Sequence, residues 1–184
     1  MSAQPNPSIA PAIDKPFLLA LLRESRERFL GSFAGVSEEQ ARMRPAPDRW
    51  SVLDTVEHLT TGETVQLKLL QTQRTPRPAD APNREQAFFQ MVGERTHKMQ
   101  APESATPRGR FSTLAAAAAQ FQATRAGVIE FLEHLSEDLR ANEVKHPHPA
   151  AGMVSTCEML VVMAKHAERH AKQIDEIRRE LVNG

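Results

Sequence analysis

Apolar positions recur at helical spacing along four long stretches of this chain, and Pro-rich segments separate them. From Phe17 to about Phe33, the residues Leu18, Leu21, Leu22, Phe29 and Phe33 fall on one side of a helix, opposite Arg23, Glu24 and Glu27. Asp14 precedes it, and Pro16 is tolerated in a first turn. The second stretch opens at Ser51, an N-cap with Asp54 at the N3 position, and carries Val52, Val56, Leu59, Leu67 and Leu70 to about Gln73. The third runs from Ser112 to about Leu139. Its Ala115 to Ala119 run is strongly helix-forming and small enough to let two helices approach closely. The fourth is opened by the capping box Ser155-Thr156-Cys157-Glu158 and continues without Pro or Gly to about Leu181.

Shorter elements fill the gaps. Ser37-Glu38-Glu39-Gln40 is a capping box for a short helix that must stop before Pro45 and Pro47. Thr75 to Asn83, with Pro76, Pro78 and Pro82, reads as a loop, Arg84 to Gln100 as a minor helix, and Asn142 to Gly152 as another loop. The expected fold class is all-α: a four-helix bundle with a long crossover, Arg74 to Ser112, between the second and third long helices. A tight helical hairpin needs only a few residues, so a connection this long can cross the bundle and leave two consecutive helices parallel. Residues 1–14 are expected to form a flexible lead, and 15–184 a single domain.

Composition narrows the class of function. Lys plus Arg and Asp plus Glu are equal at 23 each, so no net charge draws the chain to nucleic acid or an anionic membrane. The single cysteine, Cys157, excludes an intramolecular disulfide and fits a reducing compartment. The N-terminus has neither a basic region nor an apolar run, and no segment is apolar enough to span a bilayer. A cytoplasmic location is the expectation.

The chemistry concentrates in Lys165-His166-Ala167-Glu168-Arg169-His170-Ala171-Lys172-Gln173-Ile174. His166 and His170, four apart on a helix, lie a turn from one another on one face and can share a metal ion, although a bare pair is more often an exposed or core pair than a ligand pair. Glu168 is about 200° round the helix from His166, which rules out the zinc-protease arrangement H-E-x-x-H. A third ligand must come from elsewhere. Among the other histidines, His97 lies in the minor helix, His134 near a polar helix end, and His146 and His148 in a Pro-flanked loop. His58 differs, lying two turns into a capped helix beside its apolar face and stacked with Thr55, Gly62 and Val65. Gly62, costing about 1 kcal/mol against Ala inside a helix, either clears space for a ligand or marks a close helix crossing.

Arg49-Trp50-Ser51, Glu57-His58-Leu59 and Glu63, followed by His148-Pro149, Gly152, Glu158, His166, His170, Gln173 and Ile174, resemble in order the two signatures of the DinB-like (YfiT-like) metalloenzyme superfamily. The resemblance covers about residues 15–182. It implies a four-helix bundle with a long crossover and a three-histidine site for a divalent metal, with His58, His166 and His170 as ligands. Zinc or nickel come first, and manganese, iron or cobalt suit the same nitrogen donors. It implies a chemistry class rather than a substrate: low-molecular-weight thiol transfer or hydrolysis on a small molecule. The alternative is a non-catalytic metal-binding module for stress response or interaction.

Three imidazoles leave a coordination position open, where water or an external thiol can be activated. Glu63, at a family position, is the candidate catalytic base, with a salt bridge inside the bundle as its structural alternative. By helical phase, Met159, Met163 and Gln173 lie on the histidine face as candidate pocket walls together with Gly62. The methionines serve equally as core. Gln173 could orient a ligand. Trp50 reads as a structural plug and Cys157 as a small buried hydrophobe. The oligomeric state stays open, a bundle with apolar surface left over often pairing as a homodimer.

Overall fold

The computed structural model of the chain describes residues 12–95, 101 and 103–183. Six α-helices are present among them: α1 (Lys15–Ser32), α2 (Glu38–Arg42), α3 (Val52–Thr72), α4 (Glu85–Met91), α5 (Leu114–His134) and α6 (Thr156–Asn183). Their starts follow the sequence signals. The Asp14 carboxylate accepts from the Phe17 N–H at 2.9 Å. Ser37 and Gln40 form a reciprocal capping box, as do Ser51 and Asp54, and Ser155 and Glu158. Each satisfies N–H groups that a helix start would otherwise leave unpaired.

Side-chain contacts fix the helix directions. Thr60 reaches the Ala117 carbonyl, Thr64 reaches Thr124, and Arg74 pairs with Glu137, so positions on α3 and α5 advance together. These consecutive long helices run parallel, as the long crossover allows. Lys15 at the start of α1 donates to the carbonyls of Glu133 and Leu135 at the end of α5, which makes that pair antiparallel. Arg178 near the end of α6 donates to the Ser32 carbonyl at the end of α1, so α1 and α6 are parallel. Each of α1 and α3 packs on both α5 and α6, and the two occupy opposite corners of the bundle.

Two apolar clusters fill the interior. One gathers Leu18, Leu22, Leu132, Met159, Leu160 and Met163, and the other Phe29, Val56, Leu59, Phe121, Ala171 and Ile174. The buried pair Glu63–Arg125, fully inaccessible to solvent on both sides, also lies inside the bundle, where Arg125 donates to the Leu22 carbonyl and the Ser25 hydroxyl.

Three features depart from expectation. The Asn142–Gly152 segment is not simply a loop. Strands β2 (Asn142–Lys145) and β3 (Met153–Ser155) form an antiparallel hairpin, and β1 (Thr75–Pro76) adds to β2 in the order β1-β2-β3. A single 3-10 turn at Pro149–Ala151 ends at Gly152, whose φ of 63° favours a residue without a side chain. The minor helix α4 stops at Met91, and the remainder of the expected helix, including His97, lies partly outside the described residues. Ile13 and Asp14, expected in the lead, are part of the fold, Ile13 being buried in the first cluster and Asp14 capping α1; residues 1–11 of that expected lead lie outside the described residues.

Candidate metal centre

His58 comes from the second turn of α3, and His166 and His170 from the middle of α6. These helices run antiparallel, and their histidine faces meet. The His166 Nε2 lies 2.8 Å from the His170 Nε2 and 3.4 Å from the His58 Nε2. One ligand atom from each of these three residues falls within 4.8 Å of the others, so together they could hold a metal ion. His58 and His170 are buried and His166 half-buried.

The outer nitrogens determine the protonation pattern. The His58 Nδ1 is 2.8 Å from the Ala105 carbonyl, and the His170 Nδ1 is 3.0 Å from the Gln173 Oε1. An oxygen acceptor demands N–H at Nδ1, so in both neutral rings Nε2 carries a bare lone pair. Two lone pairs therefore point at a third ring nitrogen. His166 has one Nε2 proton at most and cannot satisfy both. A shared cation does, so the donor set fits a metal.

Electrostatics act in the same direction. Burial lowers the His58 pKa below its ordinary value, the Ala105 carbonyl partly opposing this. His166 and His170 lie well below theirs, first through burial and then through the neighbouring imidazoles, with Arg169 adding to both. Neutral imidazole is the ligand form.

The outer partners are themselves fastened. Arg95 donates to the Gln173 Oε1 at 3.1 Å and pairs with Glu176, so Gln173 presents its oxygen to His170. Glu57, buried beside His58, accepts from the backbone N–H groups of Arg108 and Arg110 at 2.6 and 2.9 Å. That clasp holds the crossover segment against α3, in the same stretch whose Ala105 carbonyl orients His58. Glu158 takes the Arg84 N–H at 2.7 Å and ties the start of α4 to the start of α6.

A cavity of about 500 Å³ opens onto the triad. On α3 it is lined by His58, Gly62, Val65 and Gln66, and on α6 by Val162, His166, Arg169, His170 and Gln173. Both sets keep helical spacing, so each helix contributes one stripe. A Cβ added at Gly62 would meet nothing within 4 Å, which decides between the two explanations of this glycine: it leaves cavity space and does not serve a close helix crossing. Trp50 is a wall of the cavity, its ring centroid 4.9 Å from that of His58 and 6.5 Å from that of His170.

Gln173 and Gly62 line the cavity. Met159 and Met163 do not. Both are wholly buried in the first apolar cluster, because that side of α6 turns toward α1 and α5, and Val162 takes the place next to the site. Glu63 is also absent from the cavity wall. Five residues past His58 it is about 140° further round α3, where Arg125 holds both its oxygens, the Nε bond measuring 2.9 Å. Burial pushes the Glu63 carboxyl up while Arg125 opposes that shift. This geometry corrects the assignment of Glu63 as a base in favour of its salt-bridge alternative. Cys157 is buried too, its thiol pushed up to about 12 mainly by burial. Sequence patterns gave no signal for Arg95, the Ala105 carbonyl, Gln66 or His146, which converge from separate elements.

A helical bundle with two parallel neighbouring pairs, carrying three convergent histidines beside a lined cavity, defines a class of metalloprotein-like scaffold. The sequence profile of the DinB superfamily matches residues 21–174, and the chain belongs to that superfamily. It is 22% identical over 165 residues to the uncharacterized protein YuaE of Bacillus subtilis, an alignment spanning 89% of this chain and 98% of YuaE. Among solved structures, YfiT from Bacillus subtilis superposes with a TM-score of 0.60 at 18% identity, covering 98% of this chain and 94% of YfiT. YfiT is described as a "probable metal-dependent hydrolase with an unusual four-helix bundle topology". A conserved protein from Enterococcus faecalis gives a TM-score of 0.62 at 17% identity, covering 92% of this chain and 98% of its own. Among the described residues, no helix is long and apolar enough to cross a membrane.

Proposed function

We propose that this chain is a metal-dependent enzyme acting on a small molecule, with His58, His166 and His170 holding one divalent ion. The observation that carries the proposal is the set of Nε2 lone pairs turned toward one another by the Ala105 carbonyl and Gln173, at the floor of a 500 Å³ cavity. When bound, a divalent ion with three nitrogen ligands supplies an open position that lowers the pKa of a water or thiol reaching it. The residues of the chain do the rest. Ala105 and Gln173 keep the imidazoles in the ligating tautomer, Trp50 shields the triad on one side, and Arg169 adds positive potential at the cavity wall. That potential favours an anionic nucleophile, and the nucleophile proposed is a low-molecular-weight thiol in a transfer reaction. Hydrolysis is the second reading, supported by the description of YfiT. A cavity beside the metal position favours turnover over a metal-holding stress-response or interaction module. Zinc or nickel is the proposed ion and the cytoplasm the proposed location; pairing as a homodimer is compatible with both.

Elemental mass spectrometry on the untagged protein and on His170→Ala tests the site. Near-stoichiometric metal in the first and loss in the second are expected. A wild-type protein that takes up no zinc, nickel or manganese overturns the proposal. Cobalt-loaded protein titrated with small thiols then separates the chemistries: a thiolate charge-transfer band supports transfer, and its absence leaves hydrolysis.

A further inference from the structure

The β2–β3 hairpin supplies His146, Pro147, His148, Ala150 and Ala151 to the cavity wall. The His146 Nε2 meets the Gln66 side-chain amide at 3.0 Å. This fastens the hairpin to α3 eight residues past His58, about 12 Å along the helix axis. Arg84 ties the same turn to the start of α4 by donating to the Ala151 carbonyl at 3.1 Å.

Within this fastened turn, His148 has one polar atom left to offer. Its backbone N–H donates to the His146 Nδ1 at 3.0 Å, and its carbonyl accepts the Ala151 N–H at 3.1 Å. Its ring Nδ1 accepts the Ala150 N–H at 3.2 Å and so caps the 3-10 turn. A ring nitrogen that accepts carries no hydrogen, so the neutral imidazole bears its proton on Nε2. That Nε2 has no hydrogen-bond partner among the described residues. It is also open to solvent, since His148 is half-buried and the buried unpaired side-chain atoms belong to Gln66 and Glu85 alone. Asn, Asp or Ser would cap a turn equally well. What an imidazole adds is an N–H on the far side of the ring, held in direction by the cap.

The charge of the wall indicates the kind of acceptor. Arg49, Arg95 and Arg169 line the cavity against one acid, Asp48. Glu180 and Glu176, which pair with the first two, stand outside the lining. A surplus of cations on the wall favours an anionic oxygen.

We propose that His148 is a specificity-determining residue that donates its Nε2–H to a carboxylate of the substrate. The substrate is then a small molecule whose reacting end lies at the three histidines and whose carboxylate lies at the hairpin. The position of the reacting end rests on the proposed metal function, whereas the donor rests on the hydrogen bonds of the hairpin alone.

Two substitutions separate this role from capping. In His148→Asn the side-chain oxygen takes the place of Nδ1 and keeps the cap, but nothing reaches the position of Nε2. In His148→Gln the amide N–H reaches that position and the cap is lost. Calorimetry on zinc-loaded protein compares acetohydroxamate with a length series of alkyl hydroxamates ending in carboxylate or in methyl. At the matching length, the carboxylate-ended probe is expected to bind better than its methyl-ended partner. Its affinity should fall about tenfold in His148→Asn and be largely kept in His148→Gln, with acetohydroxamate binding all three proteins alike. Carboxylate-ended probes that bind His148→Asn as they bind the wild type overturn the inference and leave the metal site standing. Equal loss in both variants also overturns it, since the loss would then trace to the shape of the turn and not to the donor. If acetohydroxamate itself does not bind, the metal reading fails, and the donor is decided in metal-free protein with ¹⁵N-labelled histidine. At pH 8, long-range proton–nitrogen correlation is expected to show His148 as the Nε2–H tautomer, its Nε2 resonance shifting on titration with acetate. The Nδ1–H tautomer, or a stationary resonance, overturns the inference.

Discussion

Glu63 and His58 stand five residues apart on α3, both buried, and the bundle completes one and leaves the other incomplete. Glu63 meets Arg125 in a bidentate pair, and Arg125 spends its remaining donors on the Leu22 and Met163 carbonyls and the Ser25 hydroxyl. The charges compensate one another and the donors have acceptors. Around His58 the accounting does not close: two Nε2 lone pairs point at a third nitrogen, in rings that burial keeps neutral. A satisfied buried charge pair ties helices together. A convergent set of unprotonated donors costs stability unless a cation joins it. The difference separates a structural polar cluster from a candidate functional one on the same helix.

The largest expected effect breaks the satisfied side. Arg125→Met leaves the Glu63 charge alone in the interior and should cost about 3–5 kcal/mol in urea unfolding. Replacing both partners, as Glu63→Leu with Arg125→Met, should recover most of that loss. A single-variant cost below about 1 kcal/mol would show that Arg125 is not what compensates Glu63.

On the unsatisfied side, zinc at about a hundred times its Kd should stabilise the protein by about 2.7 kcal/mol. This gain, read as a rise in the unfolding midpoint, should vanish in His170→Ala. Persistence of the full gain would place the metal elsewhere. A subtler change is Gln173→Leu, which removes the acceptor of the His170 Nδ1–H at 3.0 Å while leaving all ligands in place. Zinc affinity should fall about 10–100-fold in a competition titration, and unchanged affinity would deny Gln173 its orienting role.

The smallest effect is a pH dependence of the metal-free protein. The folded-state pKa values of His166 and His170 lie well below 6.5, so below that pH the unfolded chain binds more protons. Their contribution is fully present above pH about 6.5 and is lost as pH falls toward the folded values, by about 1.4 kcal/mol per pH unit for each proton taken up only on unfolding. Urea midpoints of metal-free His166→Gln should decline less steeply over this window than those of the wild type. Parallel declines would mean that these rings titrate normally in the fold.

Much of this was legible because it is local. The capping residues Asp14, Ser37, Ser51 and Ser155 act within four residues, and each marks a helix start in the structure. The i,i+4 spacing of His166 and His170 is set by helix geometry, and the long crossover announced a parallel pair of helices. The strands were not legible, because β2 and β3 span four and three residues, too few for an alternating pattern to stand out. Met159 and Met163 show where helical phase fails. Spacing gives a residue's direction relative to His166, but not which neighbouring helix covers that side.

The sequence by itself determined the four long helices, the caps of three of them and the crossover, since these depend on residues near one another in the chain; the third long helix is capped by Thr113 and ends at His134, short of the expected Leu139. Tertiary structure decided what each buried polar group meets. Whether Glu63 faces Arg125 or the cavity, whether the His58 Nδ1 finds the Ala105 carbonyl, and whether Gln66 finds His146 depend on groups 62, 47 and 80 residues apart. Those encounters follow from how the helices pack, and no local pattern encodes them.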